Sequence, residues 1–245
     1  MTDLDLLTSK IRAKLINRRG FIPLNTLTQE QITIANIDPG YCRDFIRNCG
    51  LSTELTEYLS LNEMNEILIK RGYHALYAYC STFIKEEEFK SPSHIHGVEH
   101  TRRVLYLVFC LIHCLNIEAD DAIILIIAAL YHDIGRTNDG VDPKHGVKSY
   151  TRAEKRALLK SFSDQDKELI RFIIQNHSID DNEVKDQSDL FHLDDRDRGI
   201  RLLWIFKDAD GLDRVRLGDL KVQKLRHPES RALLLVAWQL LQQSG

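Results

Sequence analysis

Hydrophobic residues three and four positions apart recur along almost the whole chain. No segment sustains the alternation of apolar and polar residues that is typical of a β-strand. Ser163 before DQDKEL and Pro228 before ESRALLL also mark helix starts, because serine caps a helix and proline suits its first turn. The pattern therefore predicts an all-α fold. The helical spacing is clearest in VLYLVFCLIHCL (104–115), LIRFIIQNH (169–177), IRLLWIFKDADGL (200–212) and RALLLVAWQLL (231–241).

The first part of the chain has a different character. Residues 1–66 mix short apolar pieces with the turn-rich stretches NIDPGY (36–41) and NCGLST (48–53). We predict small helices joined by loops there, forming an N-terminal accessory segment that acts as a cap or a subdomain. From residue 67 to 245 the helices are longer, so we place the working domain, a helical bundle, in that range. The acidic stretch 180–199 has little periodicity and is interpreted as a solvated loop.

The bulk composition is that of an ordinary globular protein. The 245 residues suffice for one large domain or one domain with an appendage. Lys and Arg number 33 against 36 acidic residues, and the net charge of -3 gives no argument for nucleic acid or membrane as a partner. The apolar run AIILIIAALY (122–131) is shorter than the roughly 20 residues of a membrane span, so it predicts a core helix. An odd number of cysteines, five, and an acidic N-terminus without an apolar signal region favour the cytoplasm.

Metal-capable side chains stand in three separate segments. LYHDIGRTNDG (130–140) places His132 and Asp133 side by side at the end of the most apolar run. A lone pair of this kind is more often a polar helix end that caps itself, so other ligands must stand nearby for a metal site. SPSHIHGVEHTRRVLYLV (91–108) predicts a helix from about Val98, so that His100 lies in or near its first turn and faces inward. FKDADGLDRVR (206–216) places carboxylates in an apolar helix, where they are costly unless paired or bound to a cation.

The remaining residues of these segments are less clearly placed. His94 and His96 precede the predicted turn and are interpreted as loop histidines, with substrate contact as the alternative. Asp210 and Asp213, three residues apart, share a helix face. Three helices could therefore deliver imidazole and carboxylate groups to one point.

The order His100, His132-Asp133, Asp210 resembles the H...HD...D signature of the HD-domain superfamily of metal-dependent phosphohydrolases, which is all-helical. HTRRV, LYHDIGR and KDADGLD are similar to the three parts of that signature, and the resemblance covers roughly residues 70 to 220. It implies an HD-type bundle with metal ligands at His100, His132, Asp133 and Asp210. It favours Asp210 over Asp208 because the family's ligand is followed by an acid three residues later, here Asp213. Such mixed ligands suit Mn, Fe, Co, Ni or Zn, with Mg as a further choice.

The resemblance also implies further site residues. His145 in DPKHGVKSY and His177 in IIQNHSIDD stand in contexts similar to the extra ligands of binuclear branches, so we expect one or two ions. If these two histidines are not ligands, one of them is the expected proton donor to the leaving oxygen. HDIGR is similar to branches with a phosphate-contacting lysine, which makes Arg136 a phosphate clamp, with a surface ion pair as the alternative. Lys144 and Arg103 are further candidates for substrate binding.

The predicted mechanism is hydrolysis of a phosphate ester by metal-activated water, with Asp133 orienting the water as well as binding metal. The expected partner is a small phosphorylated molecule, nucleotide-like or a cyclic nucleotide. Two other functions stay open: a non-catalytic module that keeps the ligands for binding, and a di-iron oxygenase built on the same ligands. Iron-dependent absorption and oxygen uptake would distinguish the oxygenase.

Overall fold

The computed structural model describes residues 3–15 and 58–243, and all regular elements in these ranges are helices. The all-α prediction is confirmed for this part of the chain. Short 3₁₀ turns lie at Glu86–Glu88, Ser188–Leu190, Asp213–Leu217 and Val222–Lys224. The α-helices are α1 Asp3–Leu15, α2 Leu61–Lys70, α3 Tyr73–Ser81, α4 Val98–Cys114, α5 Ala119–Tyr131, α6 His145–Lys155, α7 Asp164–Asn176, α8 Asp181–Gln187, α9 Arg196–Leu212, α10 Pro228–Ala232 and α11 Leu234–Gln243.

The apolar helix α5 lies at the centre of the bundle. It contacts α1, α4, α7 and α9, and every residue from 122 to 130 is at most 4% exposed. A helix that is apolar on all sides is stable in water only when it is surrounded in this way. The predicted core helix is therefore confirmed. In the part of the chain that the structure describes, no helix combines the length and the apolar character needed to cross a membrane.

The first helix of the chain packs on this centre. Leu7, Ile11 and Leu15 of α1, spaced by four residues, are at most 1% exposed. Lys14 and Ser161 also exchange hydrogen bonds: the Lys14 ammonium donates to the Ser161 carbonyl at 2.8 Å, and the Ser161 hydroxyl donates to the Lys14 carbonyl at 2.7 Å. At least the start of the predicted accessory segment is thus part of the core. The turn-rich stretches at 36–41 and 48–53 lie outside the described residues, and the predicted boundary after residue 66 falls within α2.

Two predicted helix starts are confirmed. Ser163 caps α7 by accepting a hydrogen bond from the Asp166 amide at 3.1 Å, and Pro228 occupies the first turn of α10. The predicted single helix over 231–241 is instead divided between α10 and α11.

The interpretation of residues 180–199 as a solvated loop is wrong. This stretch contains α8 and the start of α9, which begin after the capping residues Asp180 and Asp195. Each of these carboxylates accepts a hydrogen bond from an amide in the first turn of its helix. Within α8 only Val184 is buried. A helix of seven residues with one buried side chain gives too few apolar positions for a period to be seen.

Two glycines permit the close approach that shapes the site. A Cβ atom at Gly146, in the first turn of α6, would lie 2.3 Å from the carbonyl oxygen of Ile174 in α7. A Cβ atom at Gly135 would lie 2.3 Å from the backbone nitrogen of Ser149 in α6. No larger residue fits either position without moving the backbone. The start of α6 is therefore held against the end of α7 and the turn that follows α5.

Candidate metal centre

A first group of ligands is formed by the start of α4, the end of α5 and the last turn of α9. The Nε2 atom of His100 lies 3.1 Å from Nε2 of His132, 3.4 Å from Oδ1 of Asp210 and 3.6 Å from Oδ2 of Asp133. The side chains of His100, His132 and Asp133 are at most 3% exposed, and that of Asp210 is 26% exposed. The first three residues are thus deep in the protein, and Asp210 lies where the site opens.

A second group lies on the other side of Asp133. His145 is the first residue of α6, and His177 follows the last residue of α7. Their Nε2 atoms are 2.8 Å apart and lie 3.3 Å and 3.8 Å from Oδ1 of Asp133. Because Oδ2 faces the first group and Oδ1 faces the second, the Asp133 carboxylate lies between two sets of ligands. The sets His100, His132, Asp210 and Asp133, His145, His177 are each close enough to hold one metal ion.

The backbone fixes how three of these imidazoles are oriented. The Nδ1 atoms of His132, His145 and His177 each lie within 3.0 Å of the carbonyl oxygen three residues earlier. A carbonyl only accepts, so each Nδ1 carries the proton and each Nε2 presents its lone pair to the site. For His132 and His177, which follow the last residues of α5 and α7, the accepting carbonyls are free ones of the last helical turn.

These tautomers show that the side chains of His145 and His177 are arranged to bind a cation. With both Nδ1 atoms donating, the Nε2 atoms of His145 and His177 face each other at 2.8 Å as two lone pairs. Burial lowers the pKa of His132 to about 4 and that of His177 to about 3, so neither ring carries an extra proton at neutral pH. Two facing nitrogen lone pairs at this distance repel each other unless both bind a positive ion. A divalent metal supplies that charge, and histidine nitrogen is a common ligand for it.

The carboxylates of the site are ionised. Burial alone raises the pKa of Asp133, but the imidazoles around it, His132 first among them, hold its pKa well below the ordinary value. Asp210 follows the same pattern: burial opposes ionisation, and its contacts with His100 lower its pKa well below the ordinary value. The site therefore combines the neutral imidazoles of His132 and His177 with anionic carboxylates, which is the protonation state that metal ligands require.

A buried carboxylate orients His100 from behind. Oδ2 of Asp213 lies 2.7 Å from Nδ1 of His100, and Asp213 is fully buried. Two guanidinium groups neutralise it: Arg103 donates from Nε at 2.6 Å and from Nη2 at 3.2 Å, and Arg216 donates from Nη1 at 3.1 Å. Burial raises the pKa of Asp213, but its contacts with His100 and Arg103 lower it below the ordinary value. Asp213 thus fixes the His100 ring so that Nε2 faces the other ligands.

The structure places the predicted substrate residues in different surroundings. The Arg136 guanidinium lies at the site: Nε donates to Oδ1 of Asp133 at 3.1 Å and Nη1 to the Gly140 carbonyl at 3.2 Å. Arg103 lies behind His100 and is 6% exposed, whereas Lys144 is exposed before α6. Neither Arg103 nor Lys144 is among the described residues that line the cavity over the site. Their substrate contact stays a prediction.

His96 is a site residue that sequence reasoning did not place among the ligands. As predicted, it lies in the loop before α4, but its Nδ1 atom is 3.2 Å from Oδ2 of Asp133. Together with His100 and Asp133 it forms a third group of potential metal ligands. Arg216 holds this loop by donating to the Ile95 carbonyl at 3.0 Å, and it lies 3.2 Å from Nδ1 of His96. The only sequence signal was a second histidine close before His100, while His94 in the same loop is exposed.

Asp208, the alternative to Asp210 in sequence, serves another purpose. It is fully buried and accepts hydrogen bonds from the Arg226 and His227 amides and from the Ser230 hydroxyl at 2.8 to 3.0 Å. These contacts attach the segment before α10 to α9. Asp208 thus stabilises the fold, whereas Asp210 faces His100.

An open cavity of about 790 Å³ leads to the ligands, a size typical of sites for small molecules. Asp133, His145, His177 and Asp210 line it, and Arg136 lines it as well.

Residues 97–215 match the family model described as HD domain. This range begins one residue before α4, ends within the 3₁₀ turn after α9 and includes every ligand of the two groups around Asp133. No curated protein matches the chain.

Proposed function

We propose that the HD domain formed by residues 97–215 cleaves a phosphate ester of a small, nucleotide-like molecule with two divalent metal ions. HD domains belong to a superfamily of metal-dependent hydrolases, and the resemblance noted above extends to its phosphohydrolases. The observation that carries the proposal is the Asp133 carboxylate, with one oxygen toward His100 and the other toward His145 and His177. A carboxylate shared in this way is suited to hold two ions near each other.

Each ion would have its own set of ligands, and Asp133 would belong to both sets. His100, His132, Asp210 and Asp133 would hold one ion, and Asp133, His145 and His177 the other. Two bound ions would supply an activated water and neutralise the phosphoryl oxygens. Because Nε2 of His145 and of His177 both point at Asp133, we assign these histidines as ligands rather than as proton donors.

Arg136 is the proposed phosphate clamp. Its guanidinium lines the cavity and is held from two sides, by Asp133 and by the Gly140 carbonyl. A planar group with five donors suits the paired oxygens of a phosphate better than an ammonium does. The contact with Asp133 also keeps the positive charge next to the site when no substrate is bound.

The donor set guides the choice of metal. Four imidazole nitrogens together with carboxylate oxygens suit Mn, Fe, Co, Ni or Zn, whereas Mg prefers oxygen alone. We therefore propose a transition metal or zinc, with Mg as the weaker alternative.

A hydrolysis screen tests the proposal. Metal-stripped protein would be reconstituted separately with Mn, Co, Ni, Fe, Zn and Mg and offered bis(p-nitrophenyl) phosphate, p-nitrophenyl phosphate and a nucleotide panel. The Asp133→Ala variant removes the shared carboxylate, and Asp164→Ala is the matched control because Asp164 is fully exposed at the start of α7. We expect turnover that returns with metal, is lost in Asp133→Ala and is kept in Asp164→Ala.

Other outcomes point elsewhere. Stoichiometric metal binding without turnover on any of these substrates would contradict the hydrolase and favour a binding module. Oxygen uptake that appears only with iron would favour the di-iron oxygenase.

A further inference from the structure

The cavity over the metal ligands is rich in basic side chains from one segment. Residues 214–226, which follow α9, contribute five basic side chains to its lining. These are Arg214, Arg216, Lys221, Lys224 and Arg226. The whole chain has a net charge of -3, so this positive charge is a local feature.

The three arginines of the segment already have carboxylate partners. Arg216 donates to Asp213, and Arg214 pairs with Asp219 at the surface. Arg226 contacts both Asp181 and Asp208 and so connects α8 to α9. The positive charge of these arginines is therefore largely neutralised by carboxylates of the protein itself.

Lys221 and Lys224 differ from the arginines. Both are exposed, and no carboxylate among the described residues lies within 4.0 Å of either ammonium. Their charges are thus available to a ligand that enters the cavity.

The backbone places the two lysines at the two ends of one short turn. They lie at the start and the end of the 3₁₀ turn Val222–Lys224, in which the Lys224 amide donates to the Lys221 carbonyl at 2.9 Å. Lys221 precedes the turn with an extended backbone and Lys224 ends it, and both residues line the same cavity. Val222 and Leu225 are buried at 4% and 3% exposure and anchor the turn in the core. The pair is therefore presented on a fixed piece of backbone.

We propose that Lys221 and Lys224 form a second anion subsite, so that the preferred substrate carries a second phosphate besides the one at the metal ligands. The substrate class is a small molecule with two or more phosphates, and a cavity of about 790 Å³ has room for one. The inference rests on the proposed function only in assigning the first phosphate to the metal ligands. The second phosphate is recognised by the lysines alone.

Binding of non-hydrolysed ligands tests the subsite without relying on turnover. Protein reconstituted with the ion of the screen that binds but gives the least turnover would be titrated calorimetrically at constant free metal, and each ligand would be checked for hydrolysis after its titration. AMP carries one phosphate, α,β-methylene-ADP carries two in a chain, and adenosine 3′,5′-bisphosphate carries two at separate positions. Adenosine serves only as a constant carrier.

Wild-type protein should bind at least one of the two bisphosphorylated ligands roughly ten-fold more tightly than AMP, because two exposed ion pairs contribute modestly to binding. The ligand that gains identifies whether the two phosphates are linked or separate. In Lys221→Gln/Lys224→Gln the gain should shrink to less than about two-fold, with AMP binding unchanged. The matched control Lys155→Gln/Lys160→Gln removes two exposed lysines outside the cavity and should keep the full gain.

Three results would overturn the subsite: equal affinity for all three ligands in the wild type, a gain that Lys221→Gln/Lys224→Gln keeps in full, or an equal loss of the gain in both double variants. These results are distinct from a failure of the proposed function. If no ester is hydrolysed but the lysine-dependent gain in affinity is present, the subsite is supported and the hydrolase is refuted. If simple esters are hydrolysed but no gain in affinity is seen, the hydrolase is supported and the subsite is refuted.

Discussion

Replacing Asp213 with asparagine tests how the protein orients its first ligand. Asp213 accepts from Nδ1 of His100 at 2.7 Å and from Arg103, and the substitution keeps its size while it removes the charge. If the amide nitrogen of the new side chain takes the place of the oxygen at His100, it donates to Nδ1 and moves the ring proton to Nε2. An Nε2 that carries a proton no longer binds metal.

The size of the effect follows from the role of such partners. Loss of the group that orients a metal-binding histidine costs about 10- to 100-fold in metal affinity, or about 1.4 to 2.7 kcal/mol. The loss should fall on the ion at His100, because His145 and His177 are oriented by backbone carbonyls. We therefore expect one weakened ion and one ion bound within a few-fold of the wild-type affinity. Competition with a chromophoric chelator measures both dissociation constants.

Asp208→Asn is the matched control. Asp208 lies near Asp213 in sequence and is equally buried, but it contacts Arg226, His227 and Ser230 instead of a ligand. This variant should lower the unfolding midpoint and leave both metal affinities within about two-fold. Unchanged metal binding in Asp213→Asn, or the same loss in Asp208→Asn, would refute the role assigned to Asp213.

Three further predictions follow from the same geometry. His177→Asn should reduce the metal content measured by mass spectrometry from two ions per chain to one, and two retained ions would place the second ion elsewhere. Gly146→Ala should destabilise the protein by about 1 to 3 kcal/mol and weaken the second ion, because the added Cβ would lie 2.3 Å from the Ile174 carbonyl oxygen; an unchanged unfolding midpoint would contradict this. In the metal-free protein, the folded-state pKa values of His132, about 4, and His177, about 3, lie below the ordinary 6.5, so the unfolded chain binds more protons and stability should fall as pH drops from 6.5 toward 4. His100, whose pKa is raised despite burial, opposes part of this, which leaves a loss on the order of 3 kcal/mol between pH 7 and pH 5 in denaturant unfolding; constant stability over that range would contradict it.

The sequence was most informative where ligands stand at the ends of apolar helices. The run before His132 is apolar on all sides and had to be buried, so the polar pair that ends it had to lie at the edge of the core. The helix over Val98–Cys114 likewise fixed the inward direction of His100. Helical period and burial are local properties of the sequence, which is why this part of the site could be predicted.

The other parts of the site depend on contacts between residues that are far apart in the sequence. His96 faces Asp133 in a loop that is attached by Arg216, a residue 120 positions later, and no local pattern encodes such a contact. The direction of Arg103 depends in the same way on Asp213. The short helix α8 was missed because its ends are defined by capping, with only Val184 buried.

A metal titration of hydrolysis tests the central claim most directly. Mn²⁺ would be added stepwise to metal-stripped protein, at a protein concentration well above the dissociation constants, while the rate on bis(p-nitrophenyl) phosphate or the best ester of the screen is followed. With Asp133 shared between two groups of ligands, the rate should rise to a plateau at two equivalents of metal per chain. A plateau at one equivalent, or metal binding without any hydrolysis, would contradict the account.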